Sequence, residues 1–142
     1  MSYHRHKSRE FALQMLFEWD MARKEPALVK RFFWRGAHAS EETRKFANHL
    51  FDATVKESAA IDEMVGRLSE NWRLERLAPV DRNILRLAIY ELRIAHKDSP
   101  PKVAIDEALK LAKKFSSEES AGFLNGILDA ALKSIEASSS TT

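Results

Sequence analysis

Apolar residues recur along most of the chain at intervals of three and four positions, a spacing that places them on one face of a helix. No segment of useful length alternates apolar and polar residues with the period of two that a half-buried strand requires. The pattern therefore predicts an all-α fold. Two stripes show the helical spacing: Phe46, Ala47, Leu50, Phe51 and Thr54, and then Ile61, Met64, Val65, Leu68 and Trp72.

Residues that favour or break helix ends divide this pattern into about seven helices. Ser8 is the expected N-cap of the first helix, and Ser40 begins a later one well because two acidic residues follow it. The segment 26–43 is poorly patterned and leaves room for a short helix. Pro79 suits the first turn of another helix, and the prolines at 100–101 break the chain. Short connections between helices predict a bundle of one or two small subclusters.

The helix from Pro79 to about His96 is predicted to be central, because its apolar residues cover well over half of its circumference. Glu91 faces that apolar side and is expected to pair with an arginine or with backbone, since an unpaired buried carboxylate is costly. The remaining polar stripe is basic. It suits a nucleic-acid surface, although a solvated face is the commoner explanation. The stripe comprises Arg82, Arg86, Arg93 and Lys97.

The last helix begins with Ser116 and Glu119, which fit a capping box. Gly122 and Gly126 follow on one face, and each costs roughly 1 kcal/mol relative to alanine inside a helix. We expect these glycines to let the helix approach a neighbouring helix closely, with Asn125 anchoring the junction by hydrogen bonds to backbone. Residues 138–142 are expected to form a disordered tail.

The amino-acid composition places the chain in a broad class of protein. A chain of 142 residues, 44% hydrophobic and 31% charged, suits a single globular domain, predicted over residues 1–137. The absence of cysteine excludes disulfides and fits a reducing cytosol. No stretch approaches the roughly 20 apolar residues of a membrane span, so we expect a soluble cytoplasmic protein that does not bind membranes.

Charge is concentrated at the start of the chain. Residues 1–35 contain eight Lys and Arg against four Asp and Glu, whereas the rest contains fifteen against seventeen. A flexible basic arm over residues 1–7, with Arg9 just after it, is suited to phosphates, although a solvated disordered terminus explains it equally well. His4 and His6 lack a third ligand nearby, so no metal site is expected.

Motifs for catalysis are missing from the sequence. It contains no glycine-rich phosphate loop, no Gly-x-Ser-x-Gly elbow, no His-Glu-x-x-His and no cysteine nucleophile. We therefore expect a binding module rather than an enzyme, with no cofactor. These observations leave a nucleic-acid binder and a protein scaffold as alternatives.

Three stretches of the sequence carry more specific information about function than the composition does. The chain reads PPKVAIDEALKLAKKFSSEESAGFLNGILD over residues 100–129, SREFALQMLFEWD over 8–20 and PVDRNILRLAIYEL over 79–92. In order and spacing they resemble the NusB family of bacterial transcription antitermination factors, whereas segment 26–43 matches poorly. A similar module is also found fused ahead of RNA cytosine methyltransferases, but the free-standing factor is the better match.

The resemblance implies an all-α protein of two small packed helical bundles. It also implies binding to single-stranded boxA RNA of ribosomal RNA operons, together with the small-subunit ribosomal protein NusE, within an RNA polymerase antitermination complex that contains other Nus factors. A homodimer is compatible with the family. A protein-only helical scaffold that binds the ribosomal partner without sequence-specific RNA recognition is the alternative.

The resemblance also implies two sets of site residues. For Phe115 and Phe123 core packing is the competing explanation, and for the partner residues it is a solvated surface charge. The RNA-binding set is Arg5, Lys7, Arg9, Gln14, Phe115, Ser116, Glu119 and Phe123. The partner-binding set is Phe17, Glu75, Arg76, Asp81 and Arg82.

Overall fold

A computed structural model describes residues 2–68, 74–94 and 100–140 of the chain. Within them lie six α-helices and a short 3₁₀ helix, so the expectation of about seven helices is close and the all-α prediction is confirmed. The helices are α1 (Ser2–Ala22), α2 (Pro26–Gly36), α3 (Glu41–Leu68), α4 (Pro79–Arg93), α5 (Pro101–Phe115) and α6 (Glu118–Ser140), and the 3₁₀ helix is Leu74–Arg76.

The chain divides into two compact units, unit 1 over residues 1–56 and unit 2 over residues 57–142. In unit 1, an aromatic cluster joins α1 to α2. Phe11 of α1 lies edge-on to Phe33 and Trp34 of α2, with ring centroids 5.7 and 5.2 Å apart. The Trp34 indole N–H donates to the Asn48 side-chain oxygen at 2.8 Å, which ties α2 to α3.

The start of α1 differs from the prediction. The helix begins at Ser2, so residues 2–7 form its first turns, and Ser8 lies inside the helix instead of capping it. Ser8 is fully buried and its hydroxyl donates to the Thr43 carbonyl oxygen at 2.8 Å. Ser40 does cap α3, because its hydroxyl oxygen accepts the Thr43 backbone N–H at 3.1 Å. Ser8 thus serves to join α1 to the start of α3.

In unit 2, α4 packs against both α5 and α6, and α5 packs against α6. Residues 83–92 of α4 are all buried, which confirms the prediction of a central helix. Glu91 is among them, at 1% exposure. The leucine-rich sequence of α4 thus provides the core against which α5 and α6 pack.

The basic stripe of α4 is not a continuous solvated face. Arg86 is only 8% exposed, and its guanidinium forms a two-pronged contact with the Asp62 carboxylate at 3.0 and 2.9 Å. A third guanidinium N–H donates to the Asn83 side-chain oxygen at 3.0 Å. Arg86 is therefore a structural residue of unit 2, while Lys97 lies outside the described residues.

The start of α6 also corrects an expectation. Ser117, rather than Ser116, is the cap, because its hydroxyl oxygen accepts the Ser120 backbone N–H at 3.0 Å. The helix continues to Ser140, into the tail that we predicted from residue 138. Residues 141–142 lie outside the described part.

The glycines of α6 do not serve a close helix contact. Gly122 and Gly126 are exposed, and a Cβ atom built at either position meets no neighbouring atom within 4 Å. Asn125 is exposed as well, so it does not anchor a buried junction. The prediction of a structural glycine strip is wrong, and the strip is an open surface.

Among the described helices, none combines the length and the apolar character that crossing a lipid bilayer demands.

Candidate nucleic-acid interface

The first turns of α1 present two cations over aromatic rings. The Arg5 guanidinium lies 4.6 Å from the centroid of the Phe46 ring, and Arg5 is exposed. The Lys7 ammonium lies 5.2 Å from the Phe11 ring centroid and 3.3 Å from a Glu10 carboxylate oxygen. Because residues 2–7 are helical, these charges are held on a defined surface of unit 1.

Arg9 does not belong to that surface. It is 3% exposed and lies within residues 8–13 of α1, all of which are buried. A phosphate contact requires an accessible guanidinium. The structure therefore argues against Arg9 as a direct RNA contact, although it lies only four residues beyond Arg5.

Gln14 and Phe17 lie further along α1 and both are exposed. The Gln14 amide donates to the Glu10 carbonyl oxygen at 3.4 Å, one turn earlier in the helix. Phe17, predicted for the partner surface, exposes 37% of its area. Both side chains are thus available to a ligand in unit 1.

In unit 2, a chain of hydroxyl groups connects a residue predicted for RNA to one predicted for the partner. The Ser116 hydroxyl donates to that of Ser120 at 3.0 Å, and the Ser120 hydroxyl donates to the Asp81 carboxylate at 3.0 Å. Asp81 is 7% exposed, and its second oxygen, Oδ1, is buried with no hydrogen-bond partner among the residues described. Asp81 therefore serves the α4–α6 contact and is not part of an exposed partner surface.

The first half of α6 presents the other residues predicted for RNA. Phe123 is 41% exposed, and Glu119 is exposed in the first turn. Phe115, at the end of α5, is half-buried with the Lys114 ammonium 5.5 Å from its ring centroid. The open glycine strip of α6 lies beside Phe123, so backbone is accessible there without hindrance from side chains.

The remaining residues predicted for the partner lie around the start of α4. Glu75 and Arg76 are exposed in the 3₁₀ helix, and Arg82 is half-buried in α4. They combine both signs of charge. A polar, mixed-charge surface of this kind is typical of the rim of a protein interface.

An aromatic surface on α2 was not among the predicted site residues. Phe32 is 50% exposed, with the Lys24 ammonium 5.5 Å and the Arg35 guanidinium 4.9 Å from its ring centroid. The signal was present in the segment RFFWR over residues 31–35, where three aromatic residues stand between two arginines.

No cluster of three or more His, Cys, Asp or Glu side chains suited to a metal ion is found within residues 2–68, 74–94 and 100–140. The chemistry of these surfaces is therefore that of cations, exposed rings, hydroxyls and amides.

Comparison with known proteins identifies the family. The model of the NusB family matches residues 6–133. The transcription antitermination protein NusB of Koribacter versatilis is 44% identical over 134 residues, covering 94% of this chain and 91% of the relative. That of Sorangium cellulosum is 43% identical over 125 residues, covering 88% of this chain and 89% of the relative.

Solved structures agree with the sequence relatives. A crystal structure of the antitermination factors NusB and NusE in complex with double-stranded RNA matches with a TM-score of 0.83 at 29% identity, covering 94% of this chain and 99% of the matched chain. NusB of T. maritima matches with a TM-score of 0.80 at 33% identity, covering 91% of this chain and 90% of the other. The family match and the curated relatives both span nearly the whole chain, and on that evidence this protein belongs to the NusB family.

Proposed function

We propose that this protein is a cytoplasmic transcription antitermination factor that binds boxA-type single-stranded RNA together with the ribosomal protein NusE. In this proposal it acts within an RNA polymerase complex that contains other Nus factors, and it is not an enzyme. The observation that supports it best is the match to antitermination proteins along nearly the whole chain, at 44% identity in one relative. The related complex of NusB, NusE and RNA supports the two kinds of ligand.

Electrostatics and stacking supply the proposed RNA contacts. Arg5 and Lys7 neutralise phosphates, which makes the affinity fall as salt rises. Phe123 offers an exposed ring on which an unstacked base lies, and Gln14 hydrogen-bonds to base edges. The half-buried Phe115 ring is proposed for the same purpose.

The start of α6 adds polar contacts in unit 2. Its free backbone N–H groups and the Ser116 hydroxyl suit a phosphate or a base edge. Glu119 repels phosphate, so we assign it to accept a hydrogen bond from a base amino group. The open strip of Gly122 and Gly126 allows a sugar or a base to approach the helix backbone closely.

NusE is proposed to bind a separate set of exposed and half-buried residues. Phe17 supplies the apolar anchor in unit 1, while Glu75, Arg76 and Arg82 supply charges of both signs in unit 2. Exposed aromatic anchors surrounded by polar groups are typical of protein interfaces. Asp81 contributes indirectly by holding the beginning of α4 in place through Ser120.

Fluorescence anisotropy tests the proposal. A labelled boxA-like RNA and a scrambled RNA of equal length are titrated with the protein, with and without NusE, at two salt concentrations. We expect preferential, salt-sensitive binding of the boxA-like RNA that tightens when NusE is present. Equal weak binding to both RNAs alongside intact NusE binding would instead support the protein-only scaffold.

One substitution and its control test whether RNA contacts the proposed surface of α6. Phe123→Ala removes one stacking platform and should weaken binding about tenfold, since stacking contributes about 1–3 kcal/mol per base. Ile94→Ala, at an exposed apolar residue of the same unit, is the matched control and should bind as the unaltered protein does.

Sedimentation of the free protein at several concentrations tests whether it forms a homodimer.

A further inference from the structure

A groove of about 300 Å³ separates α1 from α2 within unit 1. Its walls combine exposed polar groups from α1 with aromatic side chains from α2. The groove is lined by Gln14, Glu18, Lys24, Val29, Phe32 and Phe33.

Phe32 is the distinctive residue of this groove. A phenylalanine at half exposure contributes little to the core, and here the core position of α2 is taken by Trp34, which is 8% exposed. The ring of Phe32 is accompanied by two cations, Lys24 at 5.5 Å and Arg35 at 4.9 Å. An exposed ring with adjacent cations is how proteins hold single-stranded nucleic acid, with bases on the ring and phosphates beside the charges.

The charge of the surrounding segment favours the same ligand. Residues 23–35 contain five Lys and Arg and one acidic residue. Lys30 is engaged by Asp52 at 2.6 Å, whereas Lys24 lines the groove and Arg35 lies over the Phe32 ring. Glu18 is the acidic group of the groove, and Lys24 lies 3.7 Å from it and offsets its repulsion of phosphate.

The groove continues the surface already proposed for RNA. Lys7, Gln14 and Glu18 are separated by seven and four residues, so they follow one face of α1. Gln14 therefore belongs to both surfaces: it is one of the proposed boxA contacts and it lines the groove.

We propose that this groove is a second binding site for single-stranded RNA, taking nucleotides that flank the boxA-type element. One base stacks on the Phe32 ring or on the Arg35 guanidinium plane, and Arg35 neutralises the adjoining phosphate while Lys24 offsets Glu18. The inference rests on the proposed function for its core RNA, and it adds a site that extends the length of RNA bound. The basic segment favours this ligand over a protein helix, whose docking would require a wider apolar face.

The test uses three RNAs: the boxA-like core alone, the core extended by about six nucleotides at each end, and a six-nucleotide oligouridylate alone. Each is titrated at low salt against the full chain and against Phe32→Ala, Phe32→Trp and Arg35→Gln. Leu28→Ala, at an exposed apolar residue of the same helix, is the matched control. Thermal melting shows that each variant is folded.

The extended RNA should bind the unaltered protein about tenfold more tightly than the core. Phe32→Ala should abolish this gain without changing the affinity for the core, while Phe32→Trp and Leu28→Ala retain it. Arg35→Gln should reduce the dependence of log affinity on log salt by about 0.7 for the extended RNA only.

The inference is overturned if the extension adds no affinity, or if its gain survives Phe32→Ala. A loss of NusE binding in Phe32→Ala with unchanged RNA binding would also overturn it, because the groove would then be a protein site. If the core does not bind at all, the proposed function fails separately. In that case the oligouridylate tests the groove by itself. Binding that is lost in Phe32→Ala would support the groove as an RNA site, and binding that is the same in Phe32→Ala would reject it.

Discussion

The two units of this chain use their charged residues differently. Unit 1 contains eleven Lys and Arg against seven Asp and Glu, and unit 2 contains twelve against fourteen. In unit 1, Arg5 and Arg35 lie over exposed or half-exposed rings at the surface. In unit 2, Arg86 is buried and held by Asp62 and Asn83. A basic residue therefore indicates a nucleic-acid surface only where the fold leaves it accessible.

The largest expected effect comes from breaking the buried ion pair of unit 2. Asp62→Ala leaves the Arg86 guanidinium buried with two of its hydrogen bonds lost. We expect the free energy of unfolding to fall by about 2–3 kcal/mol, as urea denaturation followed by circular dichroism would measure.

Glu63→Ala is the matched control for that substitution. Glu63 lies on the same helix and pairs with Arg67 at 2.8 Å, but both side chains are exposed. Such a pair contributes at most about 0.5 kcal/mol. Equal losses in the two variants would contradict a structural role for Arg86.

A smaller effect is expected from the hydroxyl chain of unit 2. Ser120→Ala removes the hydroxyl that donates to the buried Asp81 carboxylate, and this should cost about 1–2 kcal/mol of unfolding free energy. Ser116→Ala removes only the exposed end of the chain and should cost less than about 0.5 kcal/mol. A reversed order would show that Asp81 has another donor.

The smallest expected effect is a gain in stability on the open face of α6. Gly126→Ala places a methyl group where nothing lies within 4 Å, so it should raise the unfolding free energy by about 0.5–1 kcal/mol. RNA affinity should fall at the same time if the strip contacts RNA. A drop in the melting temperature would instead indicate that another helix packs closely against Gly126, as predicted from the sequence.

Much of the fold could be predicted from the sequence because apolar spacing reports which face of a helix is buried. That spacing identified the buried α4, and Ser40 marked the start of α3. The helix ends were harder to predict, because a serine can cap a helix by accepting a backbone N–H or lie inside it with its hydroxyl donating to a carbonyl, and its residue type does not distinguish the two. Ser8 proved to be a buried donor to another helix, and Ser117 took the role assigned to Ser116.

The surfaces were harder still, since residue type does not report accessibility. Arg5 and Arg9 are both basic residues and lie one turn apart on the same face of α1, yet Arg5 is exposed and Arg9 is buried, because every residue of α1 from 8 to 13 is buried. Gly122 and Gly126 share a face, but their spacing cannot tell whether another helix packs there. Only the packing of whole helices settles these points.

The most direct test of the central claim is the salt dependence of RNA affinity. The claim is that accessible cations of unit 1, rather than the basic residues of unit 2, neutralise phosphates. Titrations of the boxA-like RNA across a series of salt concentrations compare the unaltered protein with Arg5→Gln and with Lys110→Gln, which removes an exposed cation of unit 2. The affinity falls as salt rises, and we predict that Arg5→Gln makes this fall shallower, reducing the magnitude of the slope of log affinity against log salt by about 0.7. Lys110→Gln should leave the slope unchanged. Equal slopes for Arg5→Gln and the unaltered protein would contradict the account.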